Sequence, residues 1–515
     1  MFSLSLHAVA LCAFASAAFA LPRPVPAQVA REVTGSVEPL AHQAPDAQVL
    51  ILGGGVAGVI AARSLAKQGI TDFIIVEARD ELGGRMRSAA FGAPNRRLTV
   101  ELGANWIQGT QKGNGPANPI FELALKHNLN TVESDTDTSM TTYDVNGAVN
   151  YLDVFKNALD AFTQFTIAAA ARLPGNLVDL TARAGYSLIG QKPKSPHEIV
   201  SEYYTFDWEF AQTPEQSSFI ASAWGMNWTY NVNQGGFSED NLLSVDQRGF
   251  KYLIQAEAAE FLHPSQILLQ ATVATIEYSD SGVSVILMDG TKLTAQYAIC
   301  TFSLGVLQND DVWFDPPLPA WKAEAIYSMT MGTYTKIFLQ FHQKFWFDTQ
   351  FALYADSERG RYPVWQGLDI DGFLPGSGVV FATVTGDYSK RIEAMTDAQV
   401  QSEVMEVLRA MFPNVTVPEP TAFLFPRWFS DPLYRGSFST WPASFVPQHR
   451  INLRAPIGRL WFSGEAMSEK YFGYLHGAYF EGEATGKQIV GCIKGQQCNP
   501  QRPILGIQNT YPYGV

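Results

Sequence analysis

The sequence predicts an α/β fold, and three observations carry that reading. An apolar run, Val49 to Leu52, enters a glycine turn of the form G-x-G-x-x-G, Gly53-Gly54-Gly55-Val56-Ala57-Gly58. A helix rich in small residues follows to Lys67, with Gly69 just past its end. A second apolar strand, Phe73 to Val76, then runs into Glu77. Strand, glycine turn, helix, strand and acid in that order describe a Rossmann-like βαβ unit that grips a dinucleotide. The competing reading is a glycine turn in an ordinary α/β fold.

Each residue of the unit has a mechanical task. Gly53 permits the tight turn, Gly55 lets the backbone approach a pyrophosphate, and Gly58 lets the helix lie close to its strand. Ala57 sits in the first helical turn, where N–H groups without helical partners and the positive end of the dipole face the phosphates. Glu77 ends the second strand, where a carboxylate accepts hydrogen bonds from ribose hydroxyls. Gly83-Gly84-Arg85 follows at once, so Arg85 can reach back to the diphosphate as a fixed charge. Nicotinamide enzymes rarely carry this second element. The segment from Gln48 to Arg85 resembles the flavin amine oxidase family, which binds FAD.

Length and composition bound the rest. A chain of 515 residues holds two domains with ample core, and 46% apolar with 17% charged residues is ordinary for a globular protein. The formal charge of −13 argues against nucleic acid and anionic membrane surfaces and favours cationic ligands. Residues 1–20 read as a secretory signal, an apolar run ending in Ala18-Phe19-Ala20, although no Lys or Arg precedes it. The run is short for a membrane span, Pro22 and Pro24 follow it, and no later segment suits a bilayer. Residues 21–45 read as a tail. Cys492 and Cys498 can close a small disulfide loop or remain free thiols. Asn227 and Asn414 head glycosylation sequons that matter only if exposed.

Further along, Val100 to Trp106 is a strand entering a glycine turn, with Ala104 and Asn105 short enough for close approach. Asn118-Pro119 starts a helix, and residues 121–231 are expected to be mostly helical. A capping box at Ser195-Pro196-His197-Glu198 opens a helix whose stripe of Ile199, Tyr203, Phe206 and Phe210 reads as core. Glu209 stands beside that stripe in closing turns, where the helix dipole disfavours a carboxylate. Strands follow around the turns Ser279–Gly282 and Asp289-Gly290 and end at Tyr297–Cys300. Thr333 to Phe341 alternates as a strand, with Tyr334, Lys336 and Phe338 on one face. Lys336 there is an edge-strand solubiliser or a buried functional amine. The strand Arg459 to Glu465 and a helix from Gly473-Tyr474 to Cys492 close the chain. His476 reads as packed near that helix start, and no metal-ligand spacing appears.

The pieces ITDFIIVEA, ELGANW, YTKIFLQF, PRWFSD, FSGE and GYLHGAY extend the resemblance over nearly the whole chain after residue 48, toward the secreted plant and fungal polyamine oxidases of the family. The resemblance implies a Rossmann-like FAD-binding domain from three discontinuous segments, 46–120, 232–312 and 436–495. It adds an α+β substrate-binding domain with a mixed sheet from 121–231 and 313–435, and a C-terminal tail, 496–515. Besides the residues of the first unit, FAD contacts would come from Ala104, Asn105, Trp106, Val273, Trp428, Tyr434, Glu465, Gly473 and Tyr474. Trp106, Gln108, Glu209, Phe210, Tyr334, Phe438 and Tyr474 would line a substrate tunnel, with Trp428 beside them. Lys336, Glu209 and Tyr334 would serve catalysis, Lys336 by holding a water against flavin N5.

The implied reaction moves hydride from the carbon beside an amine nitrogen to flavin N5. Hydrolysis of the imine gives an aldehyde and an amine, and O₂ is reduced to H₂O₂. The family commonly has a second tunnel carboxylate where this chain has Gln108, which weakens or redirects polyamine binding. FAD is expected to be non-covalent, because the region YFGYLHGAY lacks the cysteine of covalent members. The rivals are an oxidase of another amine or secondary metabolite, an L-amino-acid flavoenzyme, for which no tunnel arginine stands out, a non-catalytic polyamine-binding flavoprotein, and an NAD(P)H oxidoreductase.

Overall fold

The computed structural model describes residues 46–172, 177–444, 446–496, 498 and 502–504. The expected signal and N-terminal tail, and most of the C-terminal tail, lie outside those residues. Two large mixed sheets organise what is described. In the first, Ala47–Leu52 lies parallel to both Phe73–Val76 and Lys292–Cys300. Val273–Tyr278, Val283–Leu287 and Lys292–Cys300 follow as an antiparallel meander. Leu460–Phe462 adds a parallel strand to the last of these, and Trp313–Asp315 extends the far edge beside Val273–Tyr278. Strands distant in sequence thus meet in one sheet, and their apolar runs are buried as a parallel core requires.

The glycine turn behaves as its sequence demands. Gly53 adopts φ +109°, and a Cβ on Gly58 would meet the Gly53 carbonyl oxygen at 2.0 Å. Helix Val56–Lys67 is therefore seated hard against its strand, and helix Leu475–Ile493 packs on it. A Cβ on Gly482 would lie 2.3 Å from the Ala57 carbonyl, so only glycine permits that approach. The closing helix is thereby fixed beside the opening one, with both N-termini at the same cavity.

The second sheet runs Ala422–Leu424, Tyr334–Gln340, Val379–Thr385, Val364–Gly367, Phe351–Ala355, Met140–Asp144, Gly147–Ala148. It is antiparallel except where Phe351–Ala355 meets Met140–Asp144. Residues 121–231 accordingly hold three short strands as well as helices, because Thr131–Glu133 and Met140–Asp144 find partners far along the chain. A small third sheet pairs Trp106–Gln108 and Thr131–Glu133 with Asn241–Ser244. Lys336 lies in the interior of the second sheet, opposite Thr383 and 2% exposed, which excludes the edge reading.

The capping box at Ser195 is present, but the helix it opens changes pitch. Tyr203–Asp207 forms a π-helical turn before Trp208–Phe210, and Ala211 ends it at φ +54°. Every side chain from Val200 through the π-turn to Asp207 is buried, while Ile199 of the expected stripe is half-buried. Asp207 is 1% exposed and bound through two hydrogen bonds to Arg359, which also reaches Glu202. No helix among the described residues is long and apolar enough to cross a membrane.

Cys492 and Cys498 are joined in a disulfide. Asn414 is exposed in the turn after helix Asp397–Met411. Asn227 is half-buried within helix Phe219–Tyr230, and its sequon partner Thr229 is fully buried.

Candidate active site

A cavity of about 510 Å³ runs from the glycine turn to the face of the second sheet. At one end lie Gly53, Gly55, Ala57, Glu77, Arg85 and Val273. Gly58 lies behind this wall, against the strand. Helix Val56–Lys67 begins here with Gly55 at its N-cap and no side-chain cap, so its first N–H groups are open to a ligand. A Cβ on Gly55 would have only the Gly84 Cα nearby, at 3.8 Å, so this face is free for a close-lying group. The Glu77 carboxylate is buried and accepts from Gly54 N at 2.6 Å and Arg79 N at 2.8 Å. These features fit a dinucleotide diphosphate.

Arg85 lines the cavity while its guanidinium is engaged elsewhere, donating to Glu465 Oε1 at 2.8 Å and to the Ser437 carbonyl at 3.0 Å. Glu465 accepts from Ser439 Oγ at 2.5 Å and from Gly473 N at 2.7 Å. This buried carboxylate therefore ties the Ser437–Ser439 segment, the start of the closing helix and Arg85 together. Tyr434 donates to the Gly84 carbonyl at 3.0 Å and packs edge-on against Trp428, whose indole N–H donates to the Leu102 carbonyl.

The middle of the cavity is lined by Ala104, Asn105, Trp106 and Lys336. The Lys336 ammonium donates to Gly103 O at 2.7 Å, Asn105 Oδ1 at 2.8 Å and Glu101 O at 3.2 Å. All three donors of an ammonium are thus committed to the Glu101–Asn105 turn. For Lys336 to hold a water, one of these bonds has to be exchanged, and the Glu101 bond is the longest. Burial pushes the amine down to about 7, against the pull of Glu101.

At the far end the cavity is walled by Trp106, Trp208, Phe210, Tyr334, Phe438 and Tyr474. Glu209 is half-buried among them and accepts from the Tyr474 hydroxyl at 2.8 Å. Desolvation raises its pKa, opposed by that hydrogen bond. The π-helical turn immediately before it, anchored by the Asp207–Arg359 pair, aims this carboxylate into the cavity. Behind Tyr474, His476 stacks at 5.0 Å between ring centroids. The Asn118 side-chain nitrogen donates to the Gln108 carbonyl and lies 3.4 Å from His476 Nδ1. The ring is therefore assigned its proton on Nε2, 3.2 Å from Thr229 Oγ1. Burial pushes His476 down to about 3, so it is a neutral packing group.

Gln108 lines the same end and stands opposite Asn241 across paired strands. Tyr230 lines it as well, close to both Asn241 and Glu209. Tyr230, Asn241 and Trp208 were not singled out from the sequence. For Trp208 the signal was available, since it adjoins Glu209. Tyr230 and Asn241 lie on a helix with no marked apolar face and on a short strand, which give none.

The family model described as flavin containing amine oxidoreductase matches residues 56–490. "Polyamine oxidase 1" of Zea mays is 36% identical over 472 residues, covering 88% of this chain and 92% of that protein. "Polyamine oxidase 7" of Oryza sativa subsp. japonica is 38% identical over 455 residues, covering 84% and 93%. The structure of putrescine oxidase bound to putrescine superposes with a TM-score of 0.68 at 17% identity, covering 86% of this chain and 99% of that one, which is a likeness of fold.

Proposed function

The chain belongs to the flavin-containing amine oxidoreductase family, and on that premise we propose that it is an FAD-dependent oxidase of polyamines of the spermine and spermidine class. One observation carries the substrate reading. A single carboxylate, Glu209, sits in an aromatic-walled recess continuous with a dinucleotide cleft, and the buried amine Lys336 lies between them. The bound FAD supplies the hydride acceptor for C–N oxidation and the site at which O₂ becomes H₂O₂.

The protein's own groups divide the remaining work. Glu209 pairs with one ammonium of the substrate, a charge that needs a partner once water is excluded. Tyr474 holds that carboxylate in place. Trp106, Trp208, Tyr334 and Phe438 exclude water and orient the methylene chain. The reacting nitrogen has to be neutral, and an apolar wall favours its neutral form, so turnover rises with pH toward an alkaline limb. Lys336, with its pKa lowered to about 7, is the proton-holding group on the cofactor side of the recess.

Gln108 supports a second reading. With Asn241 and Tyr230 it supplies neutral hydrogen-bonding groups at the same end as the one carboxylate, which suits an amine bearing fewer charges than spermine, a secondary metabolite included. Export from the cell is also proposed, supported by the leader pattern of residues 1–20 and by the Cys492–Cys498 disulfide, which persists in oxidising compartments. Peroxide release across a panel of polyamines, acetylated polyamines and monoamines tests the substrate reading. Turnover confined to monoamines would overturn it.

A further inference from the structure

A second, small cavity of about 20 Å³ is lined by Glu101 and Asn105, two of the residues that bind the Lys336 ammonium. Its walls come from the strand leading to Glu101, the end of strand Asn241–Ser244, and Phe338 and Phe381 of the second sheet. Asn105 is the one residue that lines both this cavity and the large one. Its Oδ1 accepts from Lys336, so the amide that forms the partition also fixes the amine. Ser244 lines the small cavity, is 7% exposed, and its Oγ has no hydrogen-bond partner. Ser244 is held against Asn105 by its backbone, donating N–H to the Asn105 carbonyl at 2.8 Å.

An unpaired buried hydroxyl has given up its hydration with nothing in return, which is costly. Cavities of this size are large enough for one water, which needs two or more polar partners. Ser244, Asn105 and Glu101 are the wall residues with polar atoms that can provide them. We propose that a buried water occupies this small cavity, bound by Ser244, and that it locks the Asn105 amide in the orientation that holds Lys336. Ser244 is then a positioning residue for the cofactor-side amine, a role that rests on the reading of Lys336 given above.

The charged surroundings are few. Glu101 is the ionisable group acting on Lys336, and Lys251 in turn acts on Glu101. Asp246, in the cavity wall, is neutralised by Arg248. An Asn105 carbonyl held less firmly stabilises the Lys336 ammonium less, so loss of the water moves the amine's apparent pKa down.

The test uses the FAD-loaded full chain and the variants Ser244→Ala and Ser244→Thr. A high-resolution crystal structure of the wild type is expected to show a water within hydrogen-bond distance of Ser244 Oγ. In Ser244→Ala that density is lost, and reoxidation of the reduced flavin by O₂ slows about two- to tenfold, the span of one buried hydrogen bond. The apparent pKa of that step falls, while anaerobic reduction by amine is unchanged, and Ser244→Thr restores the wild-type profile. A cavity without solvent density, or a Ser244→Ala enzyme with wild-type reoxidation rate and pH profile at equal FAD loading, overturns the proposal. Failure of the Lys336 reading shows separately, as a Lys336→Met enzyme that reoxidises normally.

Discussion

Replacing Glu209 with Gln removes the one charge in the recess while keeping the shape. The amide oxygen still accepts from the Tyr474 hydroxyl, which in the wild type donates to Glu209 at 2.8 Å, so the wall geometry survives. What disappears is a charge-assisted hydrogen bond to a substrate ammonium, which contributes about 1.5–3 kcal/mol when desolvated. Glu209 is half-buried, which places the effect between that of an exposed pair and that of a fully buried one. At about 1.4 kcal/mol per tenfold, kcat/KM for spermidine at neutral pH falls about 10- to 100-fold. Most of the loss appears in KM, because the distal ammonium is bound equally before and during hydride transfer.

The pH dependence adds a second signature. Desolvation raises the Glu209 pKa, so its carboxylate is lost earlier on acidification than a solvated glutamate would be. Wild type and Glu209→Gln therefore converge toward low pH and diverge as pH rises. Steady-state kinetics with spermidine and a monoamine control would show this. Equal KM for the polyamine in both enzymes, or an equal loss for the monoamine, refutes the ammonium-pairing argument.

Other expectations follow from the same geometry. Gln108→Glu restores a second carboxylate beside Asn241, and the KM for spermine is expected to fall about tenfold with little change for monoamines. Lys336→Met removes the amine that binds three oxygens of the Glu101–Asn105 turn, and stopped-flow reoxidation by O₂ is expected to slow at least tenfold, more than anaerobic reduction does. His476 is held neutral down to about 3, whereas an unfolded chain protonates it near 6.5. Stability from this group is complete above about pH 6.5 and is lost as pH falls toward 3, up to about 5 kcal/mol in all. His476→Gln is expected to flatten that part of the Tm-against-pH curve, and an unchanged slope would contradict it.

The opening βαβ unit could be read from the sequence because its signals are local. Gly53, Gly58 and Glu77 lie within a few dozen residues, and each answers to a backbone or ligand constraint at its own position. The site residues named from motif resemblance, Trp106, Glu209, Lys336, Phe438 and Tyr474 among them, line one cavity. The strands at Thr131–Glu133 and Met140–Asp144 could not be read, since they are three and five residues long and owe their conformation to Asn241–Ser244 and Phe351–Ala355. The π-helical turn at Tyr203–Asp207 was equally silent. Its anchor is Arg359, more than a hundred residues away, and YYTFD by itself suits an ordinary helix. Arg85 shows the limit of motif logic. It lines the cavity beside the glycine turn, and its guanidinium donates to Glu465 and to the Ser437 carbonyl, partners from the far end of the chain that the local motif does not announce.

The most direct test mixes purified FAD-loaded protein with spermidine in the absence of O₂ and follows the flavin absorbance. Bleaching within the mixing experiment, with colour and stoichiometric H₂O₂ returning when O₂ is admitted, is the predicted result. A flavin spectrum that stays unbleached with every polyamine tried, or a protein that remains colourless after reconstitution with FAD, would contradict the account.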